Sequence, residues 1–213
     1  SMATFHENGQ PYVNTEHLFD FSQKFLDEYF PYCIEMARAF VQPKYQSAQA
    51  GRKALFALDN LWDGIGGLVA TDPSVKYLSG KVTIYSSSPE LSRKAMIYYL
   101  DKHFGDREGL ITSKNPERWT DEQEDYFNEM FNGANYKEDY QILNNYVKSF
   151  GDVIPPLIHS YIGLSETMKT FGTTFDPDFG DCYDTAMIIT IADIYKEKYD
   201  RYINSYFSEA EKA

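Results

Sequence analysis

The segment that most constrains the fold is residues 32–41, an apolar run whose composition is typical of a buried strand. It carries two charged residues, Glu35 and Arg38, three positions apart. Side chains alternate between the two faces of a strand, so these charges point to opposite faces and at least one enters the interior. A buried charge is costly unless it is paired or hydrogen-bonded. The pattern therefore indicates either a functional carboxylate or an internal ion pair that fixes the strand register.

The residues that follow this strand predict a crossover unit. A polar loop covers residues 47–51, apolar residues at helical spacing predict a helix over 52–68, and residues 77–85 form a second apolar strand. A helix between two strands is the usual connection of a parallel pair. The free amides at the start of such a helix can hold an anion such as phosphate.

Short motifs in this unit resemble a family of acyltransferases. Residues 35–38 (Glu-Met-Ala-Arg) and 41–46 (Val-Gln-Pro-Lys-Tyr-Gln) resemble the Glu-x-x-Arg…Pro-x-Tyr-Arg element of GNAT-fold ornithine- and glycine-lipid N-acyltransferases. Many members of that family are labelled "hemolysin-like", and the N-acyl-homoserine-lactone synthases are more distantly similar. Residues 154–161 resemble its Pro-Pro-Leu…Tyr helix, and residues 175–179 with Asp184 resemble its Asp-x-Asp-Phe…Asp element. The resemblance covers residues 15–206.

The resemblance implies an α/β fold with a GNAT-like mixed central sheet flanked by helices. It implies one acyltransferase domain over residues 1–213, with a helical insertion at about 106–151. Few residues precede Glu35, so the fold is expected to be shortened at its N-terminus. Ser1 and Met2 look like a cloning remnant, and the chain is expected to be a fragment of a longer protein.

The implied activity is transfer of a fatty acyl group from a thioester to the amine of an amino acid or a similar small molecule. Glu35 is the candidate general base. Arg38 would orient Glu35 or bind an acceptor carboxylate. Strand amides near Ala39 and Val41 would polarise the thioester carbonyl. The alternative is a catalytically inactive GNAT-like module or domain fragment that retains the fold for binding.

The resemblance assigns donor binding to the strand end, the loop and the helix start. These positions are Phe40, Val41, Gln46, Gln49, Gly51, Arg52 and Lys53. Gln46 stands where the family has arginine, so the donor is left open between acyl carrier protein and coenzyme A. We expect this thioester to act as a co-substrate and no cofactor to be tightly bound. We also expect no metal, because the four histidines lack metal-ligand spacing.

A fatty acyl chain needs an apolar groove, and the chain is rich in aromatic residues, with 18 Tyr and 15 Phe. Most of these rings are expected to pack in the core. The candidate substrate-binding residues are Phe40, Trp62, Tyr85 and Phe171, with Asp178 and Phe179 added by the resemblance. The acidic run at residues 176–184 lacks the calcium-loop pattern and is expected to be a turn with solvated carboxylates.

The net charge of −12 argues against nucleic acid as a partner. Acyl carrier proteins are acidic too, so docking one would need a local basic patch. The candidates are Arg52 and Lys53, or Arg93, Lys94 and Lys102, for which scattered solubilising charges are the alternative. No apolar run is long enough to cross a membrane and no signal peptide is visible. We expect a cytoplasmic protein with two buried thiols, and peripheral contact with the inner membrane surface is left open.

Hydrophobic periodicity assigns the remaining elements more coarsely. Helices are expected in part of 15–30 and over 89–104, 121–131, 136–150, 156–167 and 192–207. Strands are expected over 169–174 and 185–191, and residues 106–118 are expected to form a polar loop.

Overall fold

The structure is a computed structural model that describes residues 4–7, 9, 11–37 and 52–210, with the backbone alone for 52–58 and 208–210. The strands are β1 (Phe19–Phe21), β2 (Cys33–Met36), β3 (Tyr77–Ile84), β4 (Ile111–Ser113), β5 (Lys169–Asp176) and β6 (Cys182–Thr190). The α-helices are α1 (Gln23–Glu28), α2 (Arg52–Thr71), α3 (Glu90–Phe104), α4 (Asp121–Met130), α5 (Tyr136–Ser149), α6 (Pro156–Ile162), α7 (Lys196–Tyr199) and α8 (Ser205–Ala210). Short 3₁₀ turns cover Phe30–Tyr32, Pro177–Phe179 and Ile191–Asp193, and a π-helical segment covers Asp200–Asn204.

A mixed four-stranded sheet organises the described chain, with strand order β2-β3-β6-β5. β2 pairs in parallel with β3, whereas β3–β6 and β5–β6 are antiparallel. The parallel pair joined through α2 confirms the predicted crossover unit. The mixed sheet with flanking helices makes this an α/β fold and is consistent with the GNAT-like description.

The two faces of the sheet bury two different hydrophobic clusters. On one face Leu78, Val82 and Ile84 of β3 pack against a cluster that includes α3 and α5. The opposite face packs against a smaller layer made of β1, α1 and β4. Its buried side chains are Leu18, Phe19, Phe25, Leu110, Ile111, Phe171, Ala186 and Ile188. This second face is the one that carries Cys33 and Glu35, because alternation along β2 turns Ile34 and Met36 toward the first cluster.

A buried carboxylate ties α3 to α5. Asp139 is fully buried and accepts a hydrogen bond of 2.8 Å from the backbone N–H of Gly133. Its Oδ2 lies 2.7 Å from Nε2 of His103 and 3.6 Å from Nζ of Lys102. These contacts satisfy a charge that would otherwise destabilise the helical layer.

The helices α3, α4 and α5 lie where periodicity predicts them, whereas the N-terminal region differs. Residues 15–30 contain β1 as well as α1, and α1 is capped by Ser22, whose Oγ accepts from the N–H of Phe25 at 3.2 Å. The predicted polar loop at 106–118 contains β4, which pairs antiparallel with β1. Strands of three residues are too short to show a period, so they depend on tertiary pairing for their existence.

The predicted closing helix over 192–207 is wrong as a single element, because it is divided into α7, a π-helical segment and α8. The π-helical segment crosses α2 closely at Gly66. A Cβ added to Gly66 would lie 1.8 Å from the carbonyl oxygen of Tyr202, so only glycine fits there. No described helix combines the length and the apolarity that crossing a lipid bilayer requires.

Candidate active site

Glu35 lies on β2 opposite Ser79 of β3. It is half-buried, on the sheet face covered by the β1–α1–β4 layer. The carboxylate therefore meets both solvent and an apolar interior. A carboxylate in such a place can exchange protons with water and still act on a group that enters the apolar side.

A small apolar pocket opens beside Glu35. Its volume is about 30 Å³, room for roughly two water molecules. Besides Glu35, the pocket is lined by Val13, Thr15, Phe19, Phe21, Phe25, Phe30, Cys33, Ser79, Gly80, Ile111, Phe171, Ala186 and Met187. The predominance of phenylalanine makes it suited to hydrocarbon. A long hydrocarbon chain would fit only if the β1–α1–β4 layer moved away from the sheet.

Asn14 hydrogen-bonds to the Glu35 carboxylate from the N-terminal segment, between the pocket-lining residues Val13 and Thr15. Its backbone N–H donates to Oε2 of Glu35 at 3.1 Å, and its side-chain Nδ2 donates to the same oxygen at 3.0 Å. Asn14 was not among the site residues predicted from the sequence. A contact across 21 positions has no local sequence signal, because it depends on how the N-terminal segment returns to β2.

A cluster of charges occupies the same sheet face, beyond the pocket. The ammonium of Lys81 donates a short hydrogen bond to Oδ2 of Asp184, and the hydroxyl of Thr83 donates to Oδ1 of Asp184 at 2.6 Å. Lys81 Nζ also lies 3.7 Å from Oδ2 of Asp176, which is 3.5 Å from Nε2 of His17. The ring of Phe179 lies over Lys81, with 5.3 Å between Nζ and the ring centroid.

Two carboxylates of this cluster differ from the expectation of a solvated turn. Asp176 and Asp184 are buried rather than solvated, whereas Asp178 and Asp181 are exposed as expected. The antiparallel pairing of β5 with β6 brings the two buried carboxylates to one face, a proximity that spacing alone does not reveal. With Cys182 they place three potential metal-ligand atoms within 4.8 Å of one another. Lys81 pairs with both carboxylates and supplies their counter-charge.

The two thiols differ in accessibility. Cys182 is fully buried, as predicted, and Cys33 is half-buried in the pocket wall. Burial raises the pKa of each thiol to about 11, and the neighbouring Glu35 carboxylate contributes at Cys33. Both thiols are therefore protonated at neutral pH, a state that disfavours nucleophilic reactivity.

The structure brings only part of the predicted substrate-binding set to Glu35. Phe171 lines the pocket. Trp62 is buried on the other side of the sheet against Tyr161, with ring centroids 5.6 Å apart, and Tyr85 is 60% exposed. Asp178 is exposed and Phe179 covers Lys81. A role for any of these residues in binding substrate stays a prediction.

Most of the predicted donor-binding residues lie outside the described residues, as does Arg38. These are Phe40, Val41, Gln46, Gln49 and Gly51. Arg52 and Lys53 begin α2, where the backbone alone is described. Pairing of Glu35 with Arg38 and binding of phosphate by this loop stay predictions.

Two of the three candidate docking cations on α3 are buried. Arg93 and Lys94 are buried, with the guanidinium 4.2 Å from the ring centroid of Tyr183 and the ammonium 3.2 Å from a carboxylate oxygen of Glu117. Lys102 pairs with Asp139. For Arg93 and Lys94 the expectation of a docking patch or of solubilising charge is therefore wrong, because both lie in buried contacts. Lys102 is partly exposed, so its part in a docking patch stays a prediction.

Two curated proteins are similar to this chain over nearly its whole length. The "Glycine N(alpha)-acyltransferase" of Phocaeicola vulgatus is 45% identical over 210 residues, which are 98% of this chain and 64% of the relative. The protein of the same name from Bacteroides thetaiotaomicron is 44% identical over 202 residues, 95% of this chain and 60% of the relative. The chain thus spans less than two thirds of the length of these relatives. No family model and no solved structure matches it.

Proposed function

We propose that the chain is an acyltransferase domain, or a large part of one, that joins an acyl group to the amine of an amino acid. The observation that carries the proposal is the identity of 45% and 44% to two proteins named glycine N(alpha)-acyltransferase. The position of Glu35 beside an apolar pocket supports it, because the reaction needs a base close to an acyl group. Glycine is the acceptor that the relatives' names suggest.

The proposed reaction forms one bond and breaks one. The lone pair of the neutral acceptor amine attacks the thioester carbonyl carbon, the C–N bond forms, and the C–S bond breaks. Glu35 takes the proton that the attacking nitrogen loses. The same proton then passes from Glu35, directly or through a water, to the departing thiolate. The products are an N-acyl amino acid and a free thiol, so atoms and charge balance.

The donor is proposed to be an acyl thioester of acyl carrier protein or of coenzyme A. The proposed location of the reaction is the cytoplasm. Its phosphate would lie at the start of α2, with Arg52 and Lys53, since free helix amides and adjacent cations attract anions. Arg38 would orient Glu35 or bind the acceptor carboxylate. The apolar pocket is proposed to take the first carbons of the acyl chain, where phenylalanine side chains favour hydrocarbon over water.

A turnover assay tests this proposal. Purified chain is mixed with acyl carrier protein or coenzyme A thioesters and a panel of amines: glycine, other amino acids, glycinamide and methylamine. Mass spectrometry measures the release of free thiol and the formation of amide, and both should depend on glycine. Thiol release without amide would indicate hydrolysis, and no release with any donor would favour the alternative of a catalytically inactive binding module.

A further inference from the structure

Asn14 lies on the segment that closes the pocket over Glu35. Its neighbours Val13 and Thr15 both line the pocket, while Asn14 itself is exposed. Asn14 therefore contributes little to the hydrophobic layer. Its contacts with Glu35 join this segment to β2.

Both donors of Asn14 converge on one carboxylate oxygen. The backbone N–H and the side-chain amide reach Oε2 of Glu35 at 3.1 and 3.0 Å. Within the described part of the chain, no hydrogen bond reaches Oε1. A carboxylate with one oxygen held twice and the other available has a fixed orientation and one oxygen ready to accept a proton.

We propose that Asn14 is a positioning residue: it fixes Glu35 through Oε2 so that Oε1 faces the acceptor amine, and it ties the Val13–Thr15 pocket wall to the base. The inference rests on the proposed function. Asn14 touches neither substrate in this account and acts through Glu35. Loss of its side-chain donor should therefore slow the chemical step and leave donor binding intact.

The test is a double-mutant cycle on turnover. Asn14→Ala should lower kcat about 5- to 20-fold with donor KM changed less than twofold, because one of two hydrogen bonds to a charged group is lost. Asn14→Asp has the same shape but places a second negative charge beside Oε2, so it should lower kcat further. Asn14→Ser keeps a short donor and should recover part of the rate.

In the Glu35→Gln background, Asn14→Ala should change kcat less than twofold, because its effect acts through the carboxylate. His6→Ala is the matched control, since His6 contacts Glu16 within the same N-terminal segment at 2.7 Å and lies outside the pocket. His6→Ala should leave kcat at the wild-type value. A fall in kcat in His6→Ala would mean that any loosening of the N-terminal segment slows turnover, which would contradict a specific role for Asn14.

The outcomes separate this inference from the proposed function. Wild-type turnover that Glu35→Gln abolishes but Asn14→Ala and Asn14→Asp leave unchanged would overturn the inference alone. The inference would also be overturned if Asn14→Ala lowered kcat by the same factor in the wild-type and in the Glu35→Gln background, because a structural residue would behave in that way. Absence of turnover in the wild type would overturn the proposed function, and this inference with it.

Discussion

At the scale of single residues, the proposed chemistry depends on Glu35. Glu35→Gln keeps the shape of the side chain and an oxygen that can accept from Asn14, so the fold should persist. Turnover should fall about 100-fold or more, the usual contribution of a general base. Thiol release and amide formation measure the rate, and the thermal midpoint reports the fold. Glu28→Gln, on the exposed end of α1, is the control. An unchanged rate with a lower midpoint would make Glu35 a structural residue.

The thiol of Cys33 reports whether the pocket is occupied. With a pKa of about 11, roughly one thiol in a thousand is ionised at pH 8, so alkylation should be slow and should accelerate about tenfold per pH unit up to pH 10. An acyl donor or fatty acid in the pocket should slow labelling of Cys33 further. Cys182 lies in the charged cluster away from the pocket and serves as the internal control. Mass spectrometry measures the labelling. Equal labelling of Cys33 with and without the acyl compound would show that the acyl chain does not bind in this pocket.

At the scale of elements, the Lys81–Asp184 pair joins β3 to β6 on the site face. Lys81→Met would leave the fully buried Asp184 carboxylate without its cation. We expect the free energy of unfolding to fall by about 2–4 kcal/mol, below the usual cost of breaking a buried pair because Lys81 is one quarter exposed. Adding Asp184→Asn should restore at least half of the loss, because it removes the carboxylate charge closer to Lys81, while Asp176 keeps its contact with His17. Urea unfolding measures both changes, and a larger loss in the double variant would contradict this account.

The start of α2 carries the proposed donor site. Arg52→Glu with Lys53→Glu should weaken thioester binding at low salt, because the helix amides would then face negative charge. The loss should shrink at high salt, where screening already weakens the contact. Lys137→Glu with Lys148→Glu changes the net charge equally on exposed positions of α5. Calorimetry that finds the same donor affinity in both double variants would exclude the α2 start as the phosphate site.

At the scale of the whole molecule, the pocket can take a long acyl chain only if the β1–α1–β4 layer separates from the sheet. Affinity should rise about fourfold per methylene until the space ends, because each buried methylene contributes about 0.8 kcal/mol. Ala186→Leu adds bulk to the pocket wall and should shift the preferred chain to a shorter length without abolishing turnover. A donor series of increasing chain length measures the shift. An unchanged preferred acyl-chain length in Ala186→Leu would show that the acyl chain does not enter this pocket.

Much of the element order could be predicted from local patterns. Periodicity located β3, α3, α4 and α5, and the strand–helix–strand order implied the parallel pairing of β2 with β3, because these signals lie within single segments. The charge in the apolar strand also indicated correctly that the Glu35 carboxylate lies partly buried beside the interior, whereas its role as a base stays a prediction. The sequence by itself thus determined the α/β class and the position of a charged residue at the edge of the interior.

Tertiary structure alone decided which residues surround Glu35. Asn14 hydrogen-bonds to Glu35, and Phe19 and Phe171 come from two other segments to line the same pocket. Lys81 meets Asp176 and Asp184 through the pairing of three strands. Trp62 and Tyr85 lie on or near the expected elements but away from the pocket, since their orientation depends on how α2 and the end of β3 pack. Such contacts arise from burial of apolar surface between layers, which is non-directional and leaves no fixed spacing in the chain. Local sequence therefore specifies elements, and the packing of layers specifies the site.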